Sequence, residues 1–336
     1  MKTLITTLNS KFIHKSLSLR LLYVACKERH DIDFKEYTIK DDLNHIVDDL
    51  IQQNLDVLCL SVYIWNVDLI QELCHLLKQK QPNLIIVIGG PEVMYDIDHF
   101  LDTFEIDYIM AGEGEIALDK LLTCLENKEE VCLQGVSTKE KRDDRLIPPV
   151  DLSYLETLDS PYLLERDKKD MKNRILYFET SRGCPYQCQY CLSSLEKGLR
   201  FFSMGYLKQQ LGLLLETDVK VIKLLDRSFN AKTEHALEIL DFVFKHARPG
   251  VQLQFEINGD VLDQRIIDFI NEEAPDGLLR FEIGIQSTYE PTNKIVRRYQ
   301  NFERLCDVIK QLQQNHKIDF HLDLIAGLPL ENLQRF

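Results

Sequence analysis

Long apolar runs are missing from this chain of 336 residues. No stretch of eighteen consecutive apolar residues occurs, so no membrane-spanning helix is expected. The opening Met1-Lys2-Thr3-Leu4-Ile5 lacks the small-residue cleavage site of a secretory signal and reads as the start of a strand. Positive charge is also scarce, with 40 Lys and Arg against 54 Asp and Glu and a formal net charge of −14. That balance argues against a nucleic acid as the default partner, because polyanions are held mainly by Lys and Arg. Internal repeats and low-complexity tracts are absent as well.

The apolar share of 45% and the charged share of 28% are ordinary for a folded soluble protein. The length suggests two domains, since single cores are usually smaller. Cysteine is plentiful at nine, but only three are clustered. Cys26, Cys59, Cys74, Cys124, Cys132 and Cys306 mostly sit beside apolar neighbours, as in Leu58-Cys59-Leu60 and Val131-Cys132-Leu133. They read as small buried hydrophobes in a reducing compartment, which points to the cytoplasm.

Residues 1–136 alternate strand and helix signals, as in a doubly wound parallel α/β sheet of flavodoxin-like type. Strands are expected at Thr3–Leu8, Ile32–Ile39, Asp56–Tyr63, Leu84–Gly89 and Asp107–Ala111, with helices at Ser16–Lys27, Leu43–Gln53, Val67–Lys80 and Ile116–Glu126. Ligands of such sheets bind beyond the carboxyl ends of the strands, where strand order reverses. The residues at those ends are Asn9 and Ser10, Ser61 and Tyr63, Gly89-Gly90-Pro91, and Gly112-Glu113-Gly114-Glu115. Their glycines would either let a flat ligand approach the backbone or simply make tight turns. Residues 137–173 open with a charged, solvated run through Arg145 and then carry Leu152, Tyr154 and Leu155. They read as a partly docked linker.

From 174 to 336, strands are expected at Ile175–Thr180, Val219–Asp226, Val251–Ile257, Leu278–Gln286 and Ile318–Ile325. Three of them alternate apolar with polar residues, and helix-length connectors such as Thr233–His246 and Asn301–His316 favour parallel crossovers. A closed eight-stranded barrel fills its interior with branched apolar side chains. A polar face bearing Glu256, Glu282 and Asp323, with Glu179 and Asp226 nearby, implies instead a wider partial barrel around a polar ligand. Arg227 and Arg280 would balance some of that charge.

The most informative stretch is Gly183-Cys184-Pro185-Tyr186-Gln187-Cys188-Gln189-Tyr190-Cys191, directly after the strand Ile175–Phe178. Cys184, Cys188 and Cys191 stand at C-x3-C-x2-C spacing, and neither Cys nor His follows until His235. Structural zinc sites and ordinary iron–sulfur clusters take four protein ligands. Three thiolates on a four-iron cubane leave one iron open to a substrate or cofactor.

On these residues the chain resembles the radical S-adenosylmethionine (SAM) superfamily, in its branch with an N-terminal cobalamin-binding-type domain. The resemblance implies a [4Fe-4S] cluster on Cys184, Cys188 and Cys191, with SAM chelating the open iron. One electron would then cleave SAM to a 5′-deoxyadenosyl radical. It implies a partial (β/α)6 barrel, here read as truncated because a further strand and two helices would be needed after Ile325. By the same resemblance Tyr190 lies near the adenine, Glu256, Glu282, Gln286 and Ser287 contact the amino acid or ribose of SAM, and Gly327 and Pro329 belong to a backbone stretch against adenine. Leu330 stands where the family often has a second glycine. The turns listing Asn9, Ser10, Gly90 and Gly112 resemble those of cobalamin domains, but the D-x-H-x-x-G signature is absent, so cobalamin would lack a lower histidine ligand from that motif. The expected function is a radical SAM enzyme. With cobalamin it would be a methyltransferase acting on an unidentified small molecule or peptide, and it would take its electron from a reductase or flavodoxin-type donor. The competing reading is an interaction module holding zinc or a structural cluster, without SAM chemistry. The sequence singles out no catalytic side chain.

Overall fold

The computed structural model describes residues 1–94, 96–194, 198–314 and 316–334. The chain divides into two compact units, Met1–Pro161 and Tyr162–Phe336. The division falls inside the stretch read as a linker. Among the described residues no helix is long and apolar enough to cross a membrane.

The first unit is built on six strands: β1 (Thr3–Asn9), β2 (Ile32–Thr38), β3 (Val57–Ser61), β4 (Ile85–Gly89), β5 (Tyr108–Met110) and β6 (Val136–Ser137). Their order is β2-β1-β3-β4-β5-β6. All are parallel except β6, which pairs antiparallel with β5. Five helices connect them: α1 (Leu17–Cys26), α2 (Leu43–Gln52), α3 (Val67–Lys80), α4 (Ile97–Thr103) and α5 (Glu115–Asn127). A short α6 (Leu152–Leu155) follows. Every residue of β1 and β3 is buried, because helices cover both faces of the sheet. On one face Leu4, Leu8, Leu58, Leu60, Ile86 and Ile88 meet the apolar stripes of α2, α3 and α4 in a single core. On the other, α1 packs against α5. Each fully buried Leu or Ile contributes about 1.5–3 kcal/mol over an exposed one. Strand order reverses at β1, so the switch point lies between the carboxyl ends of β1 and β3.

Neither α4 nor the antiparallel β6 was anticipated. One is seven residues long and the other two, too short for a periodic signal. The charged run after Ser137 is mostly exposed, as expected, and the residues that follow it are anchored. Ile147 forms a bridge to Gly112, and Val150 N–H donates to Glu113 Oε2 at 2.8 Å. All nine cysteines are free, and Cys26, Cys59 and Cys74 are buried as expected. Cys132 is not; it is exposed, and its sulfur accepts from Lys141 Nζ at 2.8 Å.

The second unit carries a five-stranded parallel sheet of β7 (Ile175–Phe178), β10 (Val221–Leu224), β11 (Gln252–Ile257), β12 (Leu279–Gln286) and β13 (Ile318–Leu324). Its strands lie side by side in chain order, without a reversal. Between β7 and β10 come a small antiparallel hairpin, β8 (Ser181–Cys184) with β9 (Gly198–Phe201), and then α7 (Met204–Leu215). The later crossovers use α8 (Thr233–His246), α9 (Gln264–Glu273), α10 (Glu290–Ile295) and α11 (Phe302–Gln313). Leu253, Phe255 and Ile257 of β11 and Leu279, Phe281 and Ile283 of β12 are buried, as their alternation requires. On β13 the alternation does not translate into burial. Leu322 and Leu324 are 45% and 50% exposed, because β13 stands at the sheet edge.

Candidate functional site

Cys184 is the last residue of β8, so the cysteines do not follow β7 directly, as the sequence suggested; the hairpin stands between. Gly183 makes the hairpin possible. Its φ is 91°, and a Cβ there would lie 2.0 Å from Gly198 O, so the two strands touch through a position only glycine can occupy. Beyond Cys184 the chain turns so that Cys191 N–H donates to Cys188 O at 3.1 Å. Ser194 then closes the turn through its N–H and hydroxyl, both donating to Cys191 O, at 3.1 and 2.7 Å. Cys188 is buried, and Cys184 and Cys191 are half-buried. The three thiols are near enough to act on one another. Burial pushes the Cys184 thiol up, the Tyr186 N–H pulls it down, and Cys191 and Cys188 push it up further.

A distant segment closes over this loop. Gln189 N–H donates to Val296 O at 2.9 Å, and Arg298 places Nη1 4.0 Å from Cys188 Sγ while Nη2 donates to Gly284 O. Arg298 Nε and the Tyr190 hydroxyl are buried without a hydrogen-bond partner among the described residues. Unpaired buried polar atoms are costly, and here they mark where a further group fits. Burial pushes the Tyr190 phenol up to about 12, with Arg298 opposing and Cys188 reinforcing the shift. Among the described residues no three His, Cys, Asp or Glu side chains converge to hold a single ion. The sequence offered no sign of Arg298, which lies 110 residues from Cys188.

The polar face of the sheet is real and organised around Lys223. Its ammonium lies 2.5 Å from Glu282 Oε2 and 3.8 Å from Glu256 Oε1. Burial raises the Glu256 carboxyl, with Lys223 and Arg227 opposing, so a further cation beside it would be welcome. At the end of β12 the register shifts, and Gln286 adopts φ 65°, a left-handed conformation that costs a non-glycine residue about 1–3 kcal/mol. Its side chain folds back across Gly284, where an added Cβ would lie 2.0 Å from Gln286 Nε2. Ser287 donates to Glu331 Oε1 and accepts from Tyr289 N–H at 3.0 Å. Thr292 holds the Gly327–Pro329 stretch by donating to Pro329 O at 2.6 Å. Leu330, where the sequence departs from the family pattern, has φ 65°, the conformation a glycine would accept without strain.

Three carboxylates read on or near the polar face are engaged elsewhere. Asp226 is 1% exposed and turned into the protein beneath the hairpin. Glu179 pairs with Arg182 at 3.0 Å. Asp323 is half-exposed on the edge strand and meets His321 at 2.9 Å.

In the first unit the switch point is set by side chains that tie the loops after β1 and β3 together. Asn66 Nδ2 donates to Leu8 O at 3.1 Å and Ser61 O at 3.2 Å, while its Oδ1 accepts from Tyr63 N–H at 2.8 Å. Trp65 Nε1 also donates to Leu8 O, at 3.1 Å, and the Trp65 and Tyr63 rings stack with centroids 4.5 Å apart. Asn9 and Ser10 lie across from them, Asn9 donating to His14 O and Glu36 Oε1, each at 3.1 Å. Phe12, Ile13, Ile64 and Trp65 leave large apolar surfaces exposed around this edge. The sequence reading passed over Trp65, although an aromatic residue beside a strand end was visible there. The glycines have a nearer use than a ligand. Gly90 has φ 107° and a Cβ would lie 2.7 Å from Val62 O; at Gly112 it would lie 2.9 Å from Ile147 Cβ. Gly89, Pro91 and Gly114 are half-buried around them, and Glu115 is buried.

Comparison with known proteins agrees with this division. A family described as the radical SAM superfamily matches residues 178–336. The chain belongs to the radical SAM superfamily. Its first unit is a B12-binding domain, matched over residues 3–122. The cobalamin-dependent radical SAM methyltransferase TokK of Streptomyces tokunonensis is 28% identical over 300 residues, 84% of this chain and 44% of that protein. The 2-(S-pantetheinyl)-carbapenam-3-carboxylate methyltransferase of Streptantibioticus cattleyicolor is 27% identical over 305 residues, again 84% of this chain and 44% of that protein. The chain therefore spans less than half the length of these relatives. Among solved structures, the radical SAM methyltransferase TsrM of Kitasatospora setae, with cobalamin and a [4Fe-4S] cluster bound, superposes with a TM-score of 0.81. It is 16% identical and covers 100% of this chain and 71% of that one, a likeness of fold.

Proposed function

We propose that this chain is a cobalamin-dependent radical SAM methyltransferase. The observation that carries the reading is the three-cysteine loop closed by Arg298, with orphaned buried atoms of Tyr190 and Arg298 at its mouth. Cys184, Cys188 and Cys191 would hold three corners of a cluster. The donor set fits iron–sulfur chemistry, since thiolates suit iron clusters and each takes a different iron. With SAM and cobalamin, such a site supplies one-electron cleavage of SAM and carriage of a methyl group.

The residues then have definable tasks. Glu256, 3.8 Å from Lys223 where Glu282 is 2.5 Å away, offers a carboxylate to the SAM amine, while Lys223 keeps Glu282 neutralised. Gln286 and Ser287, at the strained end of β12, face the same ligand, and Gly327 with Pro329 supplies backbone for its adenine. Arg298 gives the cluster mouth a fixed positive charge. In the first unit, Ser61, Tyr63, Trp65 and Phe12 border the switch point and would hold a large, mostly apolar face; no D-x-H-x-x-G histidine is present to ligate from below. The substrate is a small molecule or peptide. A reductase or flavodoxin-type protein supplies the electron, in the reducing cytoplasm.

Anaerobic reconstitution of the full chain tests the reading. About four irons per chain, and loss of that iron in Cys188→Ala, support it. Stoichiometric zinc on the three cysteines would replace it with the interaction-module reading. Visible absorption during cobalamin titration tests the first unit independently.

A further inference from the structure

Beneath the cysteine loop lies a buried polar chain that none of the cofactor contacts uses. Asp226, 1% exposed, stands just past the end of β10. Its Oδ2 accepts from Thr180 N–H at 3.1 Å, and its Oδ1 accepts from the Thr180 hydroxyl at 2.5 Å and from the Ser181 hydroxyl. Thr180 is fully buried and Ser181 is 5% exposed. His235 of α8, 7% exposed, places Nε2 3.0 Å from Thr180 Oγ1.

Proton accounting orders this chain. A threonine hydroxyl has one hydrogen, and an ionised carboxylate only accepts. Burial raises the Asp226 carboxyl while the Ser181 and Thr180 hydroxyls and the Thr180 N–H pull it down; with Asp226 ionised, Thr180 donates to it and accepts from His235, which is then the Nε2–H tautomer. Burial, helped by Lys232, lowers the His235 pKa to about 4, so the ring is neutral at ordinary pH and has that single proton to give.

The same histidine also grips the other strand of the hairpin. Its ring lies 4.6 Å from that of Phe201, and Lys232 Nζ stands 5.5 Å from the Phe201 centroid. Phe201 is the residue paired with Ser181, and Gly198 is paired with Cys184. Both strands are thus fixed at the Ser181–Phe201 end, and Cys184 is carried at the opposite end of β8. Three strand residues span about 10 Å, so a small tilt at Ser181 is transmitted directly to the thiol.

We infer that Asp226, Thr180, Ser181 and His235 are positioning residues for the cluster: they aim β8 so that Cys184 meets its iron at the same time as Cys188 and Cys191 meet theirs. The inference rests on the reading of Cys184 as a cluster ligand. Groups that orient metal ligands from behind typically govern affinity by about 10–100-fold.

The test compares Thr180→Val, isosteric but unable to relay, with Thr180→Ser, which keeps the hydroxyl, and with Asp226→Asn, whose amide presents a donor to one of three donors. Each variant chain is reconstituted anaerobically, checked for folding by circular dichroism, challenged with an iron chelator and examined by electron paramagnetic resonance after reduction. Expected are about tenfold faster iron loss and an altered reduced-cluster spectrum in Thr180→Val and Asp226→Asn, with Thr180→Ser close to the wild type. Should the two disruptive variants lower thermal stability yet keep wild-type iron retention and g values, the chain is a structural support only and the inference is overturned. Failure of the wild type itself to take up iron would remove the underlying reading, and this inference with it.

Discussion

Gly90→Ala separates what the glycine turns of the first unit do for the fold from what they do for a ligand. Gly90 has φ 107°, where an L side chain is strained by about 1–3 kcal/mol. Its new Cβ would lie 2.7 Å from Val62 O and 2.9 Å from Val62 N. Both are backbone atoms, held by the Val62 N–H to Gly89 O bond of 2.7 Å, so the loop cannot yield by a rotamer change. Forced overpacking of that kind costs about another 1–3 kcal/mol. The sum, about 2–6 kcal/mol, should lower the melting temperature of the Met1–Pro161 unit by about 5–20 °C in calorimetry of the cofactor-free protein. Gly250→Ala, in the Tyr162–Phe336 unit and read on that unit's own transition, is the control: φ there is 85°, but nothing stands within 4 Å of the added Cβ, so only the conformational part is lost. If Gly90→Ala melts no lower than Gly250→Ala relative to wild type, the Val62 contact is not the reason for the glycine. A glycine variant that unfolds the loop also makes a poor probe of cobalamin uptake; substitutions at Trp65 or Ser61 are better suited.

Two further outcomes follow from the second unit. In Gly284→Ala the added methyl would meet the end of the Gln286 side chain rather than backbone, so the chain should melt within about 2 °C of wild type while Gln286 is displaced. Calorimetric titration of the cluster-loaded chain with SAM should then show about tenfold weaker binding, the loss of one hydrogen bond of about 1.4 kcal/mol, and unchanged affinity would remove Gln286 from the SAM site. For pH, the His235 pKa is lowered from 6.5 to about 4, so below pH 6.5 the unfolded chain takes up a proton that the folded one refuses. Its contribution to stability is therefore flat above pH 6.5 and falls as pH drops toward 4, by up to about 3 kcal/mol. Urea titrations of wild type and His235→Gln across that window should differ in slope; parallel curves would mean His235 protonates freely in the folded state.

The sequence by itself determined the secondary-structure alternation, the parallel character of both sheets and the grouping of Cys184, Cys188 and Cys191 in one loop. These are encoded locally: apolar runs of four to eight residues between glycine turns, a period of two on β11 and β12, and a thiol spacing with few alternative meanings. The strand ends beyond which such sheets bind ligands were legible too, but that the order reverses between β1 and β3 is a property of the folded sheet. The tertiary structure decided what each polar residue near those landmarks does. Asp226 looked like a cavity carboxylate but is buried under the hairpin, since which side of a loop a side chain enters depends on what packs there. Arg298 reaches Cys188 from 110 residues away, and Val62 fills the space at Gly90 from the neighbouring loop. Periodicity reports the face a residue takes on its own strand; it carries no information about which distant backbone or charge will be folded against that face.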